Sequence, residues 1–284
     1  MVEKFLTKNS SHNLRKVWQP VVFDFNKKGD WLEAKKLISK NKILSVVDEW
    51  AEQKKELFLI NHPGRLITGV QAGDYLDKTD TLKDGVWVYY PWRFSLVHCL
   101  PQKDFIKLKT SRNFNLITPV EQKRADKIKI GIAGLNVGNP GAVCLGLTGV
   151  GSLFKLADID DLSVSNLNRF RAGVCDLGVN KAVLTARQIL EINPFAKLEV
   201  FDTGIKMDKL DDFLLKPKLD VLVEEMDNLA LKIAIRERAR FHRIPVVMVT
   251  GNGSNVIIDV ERYDLNPKLK ILNGLLDKKV AGAD

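Results

Sequence analysis

The sequence predicts an α/β fold whose centre is a mainly parallel, doubly wound sheet with helices on both faces. Between residues 127 and 250, short apolar runs typical of buried strands alternate with segments of helical periodicity. Strands that alternate with helices form right-handed crossovers, which place neighbouring strands parallel to each other. In addition, the polar motifs of this region directly follow the strands, where parallel sheets bind their ligands.

The alternation assigns the elements of this region in order. Five strands are predicted, at 127–133, 153–158, 197–202, 219–225 and 245–250. Four helices are predicted, one from Pro140 and the others at 180–192, 207–215 and 228–242. Residues 255–260 are then expected to form a strand of a different hand, outside the regular alternation.

Residues 1–125 are expected to form a smaller α+β region, for which the sequence suggests no chemistry. Apolar residues at helical spacing between Trp31 and Leu57 predict two helices that break near Lys40. β-favouring runs predict two strands further on, at 57–60 and 86–90.

The second predicted domain comprises residues 126–284. The pattern of strands and helices fades before residues 278–284, which show no sign of a completed domain. We therefore expect this domain to be either naturally short or truncated at its C-terminus. No internal repeat or low-complexity tract is visible in the sequence.

Composition and charge indicate a globular cytoplasmic protein. Apolar residues make up 45% of the chain and charged residues 28%, as in soluble domains. No apolar run of about eighteen residues occurs, and the N-terminus lacks a secretory signal, so no membrane association is expected. The net charge of +9 comes from scattered Lys and Arg, which favours a solvated basic surface over an acidic protein partner or nucleic acid. The cysteines Cys99, Cys144 and Cys175 suggest neither a disulfide framework nor a zinc site.

The turn after the first strand of the second domain is suited to a phosphate-bearing ligand. Gly134 and Gly138 allow close approach of the backbone to the ligand. Asn136 stands where many nucleotide-binding loops have glycine, but asparagine tolerates a left-handed backbone. Asn139 and Pro140 predict an N-cap and a first helical residue, which leaves free N–H groups facing the ligand. Alone, this pattern also fits a turn that merely joins a strand to a helix.

Residues that can bind ribose and phosphates follow in order. Asp158 ends a strand roughly twenty residues after the turn, where an acidic residue binds ribose hydroxyls. Asn166, Asn168 and Arg169 then supply amides and a guanidinium, whose planar fork holds phosphate oxygens bidentately. Lys181 opens the next helix, where its ammonium is unfavourable unless an anion compensates.

A candidate metal ligand follows the strand 219–225. Asp227 lies at its carboxyl end, and a carboxylate near a bound triphosphate is how proteins hold Mg²⁺. Glu224 and Glu225 are close in sequence and could share the cation or cap the strand. Asp158 would suit NAD as well, but the ordered set of cations and carboxylates favours ATP with Mg²⁺.

The motifs of the second domain match an ordered set found in one enzyme superfamily. The set is Gly134-Leu135-x-Val137-Gly138, Asp158-Ile159-Asp160, Ser165-Asn166-Leu167-Asn168-Arg169, Asp176-x-Gly178-x-x-Lys181, Ile192-Asn193-Pro194 and Asp227-Asn228. With these motifs, residues 127–264 resemble the ThiF/MoeB superfamily, which includes the ubiquitin-activating enzymes. The stretches 176–181 and 258–264 are most similar to the less studied bacterial ThiF-domain proteins.

The resemblance implies a Rossmann-like fold and a reaction. Members adenylate the C-terminal carboxylate of a ubiquitin-like, β-grasp carrier protein with ATP and release pyrophosphate. Carried over to this sequence, Asp158 would bind ribose and Asp227 would bind Mg²⁺. The phosphates would be bound by three side chains, Asn166, Arg169 and Lys181.

The resemblance also implies a homodimer. In many members, an arginine upstream of the first strand reaches the triphosphate of the other subunit. Arg112 lies in the corresponding region and is the candidate, which would act with Arg169 and Lys181 on the charge of the departing pyrophosphate. The alternative is that Arg112 is an ordinary basic residue beside Lys107 and Lys109.

Two departures from the superfamily pattern bear on function. Asn136 and Val137 replace loop glycines, and neither the zinc-binding cysteine pairs nor the nucleophilic cysteine of thioester-forming members can be placed. Thioester chemistry is therefore not predicted. Two other functions stay open, an NAD-dependent oxidoreductase and a nucleotide-binding scaffold without turnover.

Overall fold

The computed structural model describes residues 14–64 and 82–274. The chain divides into two compact units. The N-terminal unit comprises Met1–Gln122 with Leu190–Phe195, and the C-terminal unit comprises Lys123–Ile189 with Ala196–Asp284. The expected short C-terminus at 278–284 lies outside the described residues. Within the described ranges, no helix combines the length and apolar character needed to cross a bilayer.

The N-terminal part has the predicted α+β character. Its strands are β1 (Val21–Phe23), β2 (Ser45–Asp48), β3 (Val86–Tyr90) and β4 (Ser95–Cys99), in the sheet order β1-β3-β4-β2. Pairing is antiparallel between β1 and β3 and between β3 and β4, whereas β2 and β4 are parallel. The helices are α1 (Lys28–Ser39), α2 (Trp50–Asn61), α3 (Gln102–Lys109) and α4 (Pro119–Ala125). The strand predicted at 86–90 is β3.

Two predictions for this part of the chain are wrong. The second helix expected after Lys40 begins only at Trp50, because Val46 and Val47 belong to β2 and pair with β4. Valine is β-branched and favours strands wherever a partner strand is available. The strand expected from Leu57 is the second half of α2. Leu57 is buried in the same cluster as Trp50, about two helical turns away, so helical packing decides its conformation.

The C-terminal unit contains the predicted parallel sheet. Its strands are β5 (Lys129–Ala133), β6 (Leu153–Ala157), β7 (Leu198–Phe201), β8 (Val221–Glu224), β9 (Val246–Asn252) and β10 (Asn255–Glu261). Its helices are α5 (Leu135–Thr148), α6 (Lys181–Ile192), α7 (Leu210–Leu215) and α8 (Leu229–Phe241). Strands β5 to β9 pair in parallel, and β10 pairs antiparallel with β9. The last strand therefore breaks the parallel pattern, as its place outside the alternation predicted.

Helices cover both faces of this sheet. A Cβ placed on Gly131 of β5 would lie 3.0 Å from the Phe213 ring of α7. The next residue, Ile132, points to the other face, where its Cγ2 would be 2.7 Å from a Cβ on Gly138 of α5. Because successive side chains of a strand alternate between faces, α5 and α7 lie on opposite faces. The doubly wound architecture is confirmed.

The strand order places a ligand crevice at the centre of the sheet. The order is β10-β9-β8-β5-β6-β7, so the chain proceeds outward from β5 in one direction and from β8 in the other. This is the order of Rossmann-like sheets, in which ligands bind outside the carboxyl ends of the strands where the direction reverses. Here that point lies between β5 and β8.

The helix after β5 begins earlier than predicted. Helix α5 starts at Leu135, with Gly134 as its N-cap, and Pro140 lies inside the helix. Asn139 is therefore not a cap. It is fully buried, and its amide nitrogen donates to Thr185 Oγ1 and Gln188 Oε1 of α6, both at 2.8 Å. Its polar atoms are satisfied by these non-local partners, which the local pattern did not reveal.

Candidate functional site

A cleft of about 390 Å³ opens at the predicted switch point. Its volume is within the usual range for small-molecule sites. It is lined by residues at or after the carboxyl ends of four strands of the C-terminal unit, namely Gly134, Asn136, Ala157, Asp158, Ile159, Asp160, Thr203, Gly204, Ile205, Glu225, Met226, Asp227, Asn228 and Leu231. Four of the residues predicted from sequence, Gly134, Asn136, Asp158 and Asp227, thus share one cleft.

Gly134 brings two walls of the cleft into contact. Its φ is +90°, a conformation that L-residues with a side chain rarely adopt. A Cβ at this position would lie 2.4 Å from the carbonyl oxygen of Glu225, just after β8. Glycine is therefore required for both its backbone conformation and the close approach of the β5–α5 turn to the end of β8.

Gly138 lies inside α5 and not in the turn that precedes it. It is buried in the first turns of α5, where its missing side chain lets the helix approach Ile132 of the sheet. Close helix–strand packing is one of the recognised uses of glycine in such turns. Contact between Gly138 and a ligand stays a prediction.

Asp158 lines the cleft, and its carboxylate accepts hydrogen bonds from two backbone N–H groups. Its Oδ2 accepts the Leu135 N–H at 2.6 Å and its Oδ1 accepts the Asp160 N–H at 2.8 Å. Burial raises the pKa of the Asp158 carboxyl, and these N–H bonds act in the opposite direction. Each carboxylate oxygen can accept more than one hydrogen bond, so capacity remains for ribose hydroxyls. The ribose role stays a prediction.

The Arg169 side chain is hydrogen-bonded to Asn136 in the first turn of α5. With the Asn136 amide oriented so that its oxygen faces the guanidinium, this oxygen accepts from Nη2 at 2.8 Å and from Nε at 2.9 Å. Nη1 of Arg169 donates to the Ser165 carbonyl at 3.1 Å and to Asn168 Oδ1 at 2.8 Å. The guanidinium is thus fixed beside the N-terminus of α5, where it contacts Asn136 of the cleft without itself lining the cleft.

Lys181 lies at the start of α6 and is almost completely buried. Its Nζ donates to Asp160 Oδ2 at 3.0 Å. Asn180 precedes it, and the Asn180 amide nitrogen donates to the carbonyls of Asp158, Asp160 and Asp202. Asn180 therefore joins the ends of β6 and β7 to the start of α6 and fixes the position of Lys181.

Asn166 is buried in the short helix Val164–Asn166. Its Oδ1 accepts the Ser163 N–H at 3.0 Å and the Ser163 hydroxyl at 2.9 Å. In the described part of the chain, its amide nitrogen has no protein acceptor, which leaves a donor for a ligand. The Asn166 oxygen thus stabilises the short helix through Ser163. Its predicted role in phosphate binding stays a prediction.

Asp227 is exposed at the mouth of the cleft, and Asn228 beside it caps α8 by accepting the Leu231 N–H at 3.0 Å. Among the residues that the structure describes, no group of three or more His, Cys, Asp or Glu could hold a metal ion. A single carboxylate suits Mg²⁺ that is also bound by substrate phosphates and water. The donor set therefore fits a nucleotide-bound ion and no protein-only metal centre.

The two glutamates after β8 have separate roles. Glu224 is fully buried and pairs with Lys232 and Arg236 of α8, so it is not available to a cation in the cleft. Glu225 lines the cleft, and its Oε1 accepts the Val249 N–H at 2.7 Å. Burial raises the pKa of Glu225 to about 7, because the carboxylate is poorly hydrated there.

Arg112 lies in the N-terminal unit. It is an exposed residue of the short helix Ser111–Asn115. Its role as a catalytic arginine of a neighbouring subunit stays a prediction.

Several cleft residues were not singled out from sequence. Thr203, Gly204 and Ile205 follow β7 and line the cleft, and a Cβ on Gly204 would lie 3.4 Å from Ile159 Cβ. The rule that ligands bind at the carboxyl ends of parallel strands could have identified them, since they directly follow a predicted strand. Asn180 carried no such signal, because its importance depends on three carbonyl groups that only the fold brings together.

Comparisons with known proteins identify relatives of this chain. Residues 108–261 match the model of the ThiF family. An uncharacterised protein of Mycobacterium tuberculosis (strain CDC 1551 / Oshkosh) is 38% identical over 190 residues, which are 67% of this chain and 26% of that protein. The tRNA threonylcarbamoyladenosine dehydratase of Escherichia coli (strain K12) is 30% identical over 128 residues, 45% of this chain and 46% of that enzyme.

A third relative is the probable molybdopterin-synthase adenylyltransferase of Porphyra purpurea, 28% identical over 116 residues, 40% of this chain and 29% of that protein. The E. coli dehydratase also has a crystal structure in complex with ATP. It matches with a TM-score of 0.49 and 25% identity over 53% of this chain and 62% of that one. In sequence, the matches span less than half the length of each of these three curated relatives.

Proposed function

The chain belongs to the ThiF family, and from that premise we propose that it uses ATP to adenylate a carboxylate and releases pyrophosphate. The observation that carries the proposal is the cleft at the sheet switch point, which is lined by Asp158, Asp227 and Asn136, the residue whose side chain contacts Arg169. One matched relative is named as an adenylyltransferase, which supports the reaction class.

The chemistry of the cleft suits a nucleoside triphosphate. Asp158 would bind the ribose hydroxyls, and the phosphates would extend toward the N-terminus of α5. Arg169, Lys181 and Asn166 provide two cations and an amide donor for them. Free N–H groups at the helix N-terminus add to the attraction for an anion.

The donor set of the cleft fits Mg²⁺ only together with the nucleotide. Asp227 would hold the ion, which would neutralise part of the phosphate charge. Asp227 is exposed, so it can also reach an ion through water.

In the proposed reaction, a substrate carboxylate oxygen attacks the α-phosphorus. The bond from that phosphorus to the bridging oxygen breaks, and pyrophosphate departs with the bonding electrons. Arg169 and Lys181 would stabilise the negative charge that develops on pyrophosphate, and Arg112 of a second copy would add to it. No protein nucleophile is needed, so catalysis would consist of positioning and electrostatic stabilisation.

We propose the C-terminus of a small β-grasp carrier protein as the carboxylate substrate and a homodimer as the active form. Both proposals rest on the resemblance of the motifs to the ThiF/MoeB superfamily. We also propose the cytoplasmic location that the sequence predicts.

A pyrophosphate-exchange assay tests the function. The protein is incubated with ATP, Mg²⁺, labelled pyrophosphate and a panel of β-grasp carriers, each with a matched carrier whose C-terminus is amidated. We expect exchange only with free carboxylates. Asp158→Ala and Arg169→Ala should abolish it, whereas Gly141→Ala, on α5 beyond the turn and with nothing within 4 Å of the added Cβ, should preserve it.

Three results would contradict the proposal. The first is ATP binding that is unaffected by Asp158→Ala and Arg169→Ala. The second is a thermal shift with NAD that exceeds the shift with ATP and Mg²⁺, which would favour an oxidoreductase. The third is ATP binding without exchange for any carboxylate, which would favour a scaffold without turnover.

A further inference from the structure

We propose that Asn136 is a positioning residue that holds the Arg169 guanidinium, with its charge uncompensated, for a phosphate group of the ligand. The inference rests on the proposed ATP site. It assigns a purpose to the asparagine that replaces glycine in the turn.

The contacts of Arg169 fix its guanidinium in one place. One oxygen of Asn136 accepts from both Nε and Nη2, which holds one edge of the planar group. The Ser165 carbonyl and Asn168 Oδ1 hold Nη1. An exposed arginine side chain normally samples many rotamers, and this ordering would otherwise be required when the ligand binds.

All of these acceptors are neutral. Within the described residues, no carboxylate pairs with Arg169, whereas Lys181 at the other helix N-terminus pairs with Asp160 at 3.0 Å. Asn136 is the second residue of α5, so the guanidinium lies beside the positive end of the helix dipole. A cation fixed there is unfavourable unless an anion joins it, which makes the arrangement a prepared phosphate site.

Asparagine suits this task better than either glycine or aspartate. Glycine would leave the Nε edge of the guanidinium without its acceptor. Aspartate has the same shape and would bind the guanidinium more strongly, but it would cancel the charge that a phosphate needs. The two substitutions therefore have opposite effects on the Asn136–Arg169 contact and the same effect on phosphate binding.

The experiment measures the affinity of the intact protein for ATP with Mg²⁺ and, in parallel, for adenosine. The variants are Asn136→Ala, Asn136→Asp and Arg169→Ala, with Gly141→Ala, further along α5, as the control. We expect about tenfold weaker ATP binding for Asn136→Asp and several-fold weaker binding for Asn136→Ala. Adenosine, which lacks phosphates, should bind all variants within about twofold of the wild type, because its contacts do not involve Arg169.

The melting temperature separates this effect from misfolding. Asn136→Asp should melt at or above the wild-type temperature, because a carboxylate is favourable both beside Arg169 and at a helix N-terminus. Weaker ATP binding in a variant of undiminished stability cannot result from loss of the fold. Asn136→Ala should melt slightly lower.

The decisive measurement is whether the effects of the Asn136 and Arg169 substitutions on ATP affinity are coupled. In an Arg169→Ala background, Asn136→Ala should change ATP affinity by less than about twofold, because the acceptor that it removes then has no guanidinium to hold. Additive effects, or an equal loss of adenosine binding, would overturn the proposal.

The two proposals can fail separately. ATP binding with the expected coupling but without pyrophosphate exchange would leave the role of Asn136 intact and refute adenylation. Failure of the wild-type protein to bind ATP would refute both.

Discussion

Arg236 of α8 and Glu224 of β8 form an ion pair in the interior of the C-terminal unit. Nη2 of Arg236 lies 3.0 Å from Oε2 of Glu224, and the two side chains are only 1% and 0% exposed. Arg236 also pairs with Glu261 on β10. On the other side, Oε1 of Glu224 accepts the Met226 N–H at 2.8 Å. The pair thus connects the outer strand of the sheet to the wall of the cleft.

Arg236→Ala should destabilise the protein strongly. The change leaves Glu261 without its buried partner and Glu224 with Lys232 alone, and breaking a buried pair in this way costs about 3–5 kcal/mol. Urea unfolding measures the loss. The matched control is Arg238→Ala on the same helix, whose partner Asp211 is half exposed, and its effect should be much smaller. Similar losses for the two variants would show that burial does not determine the strength of these pairs.

Stability should decrease with pH through Glu225. The pKa of this carboxyl is raised from its ordinary value of 4.5 to about 7 by burial, so the native state binds its proton more tightly than the unfolded chain. Its contribution is fully present below pH 4.5 and is lost as the pH rises to about 7. Because the group is partly exposed, we expect a loss on the order of 1 kcal/mol rather than the full value of the shift.

Glu225→Gln provides the measurement. The glutamine oxygen can still accept the Val249 N–H, and the side chain no longer titrates. The free energy of unfolding of the variant, relative to wild type, should therefore rise between pH 4.5 and 7 and stay level above pH 7. Parallel pH curves for the two proteins would contradict the prediction.

Gly134→Ala should damage the cleft. The backbone is at φ +90°, and the added Cβ would lie 2.4 Å from the Glu225 carbonyl oxygen. We expect a loss of about 1–3 kcal/mol in stability together with weaker ATP binding, because the two walls must move apart. Gly141→Ala, inside α5, is the control. Nothing lies within 4 Å of its added Cβ, and it should stabilise by about 0.5–1 kcal/mol. Unfolding and ATP titration of both variants test this, and equal behaviour would be the contrary result.

The sequence predicted the C-terminal unit well because its signals are local. Strand and helix periodicity depends on neighbouring residues, and chain order with right-handed crossovers then determines where the strand ends meet. Asp158 and Asp227 could be assigned to one cleft for this reason. The family resemblance and the doubly wound fold are both confirmed.

Features that depend on distant partners could not be predicted in the same way. Asn139 has the local pattern of a helix cap, but its position is decided by Thr185 and Gln188 on α6. The contact of Asn136 with Arg169 likewise joins two separate segments. In the N-terminal part, Leu57 adopts a helical conformation because it packs with Trp50. Tertiary packing therefore overrides local propensity at these positions.

Asp160→Asn should make the protein less stable without ATP and more responsive to it. Asp160 compensates the buried ammonium of Lys181, which otherwise lies unpaired at the N-terminus of α6, so the ligand-free variant should melt at a lower temperature. ATP phosphates can replace the lost carboxylate, and the increase in melting temperature on adding ATP and Mg²⁺ should exceed that of wild type. Lys181→Met is the matched control, because its ATP response should shrink when the cation is removed. A smaller ATP response in Asp160→Asn would instead indicate that Asp160 itself binds the nucleotide.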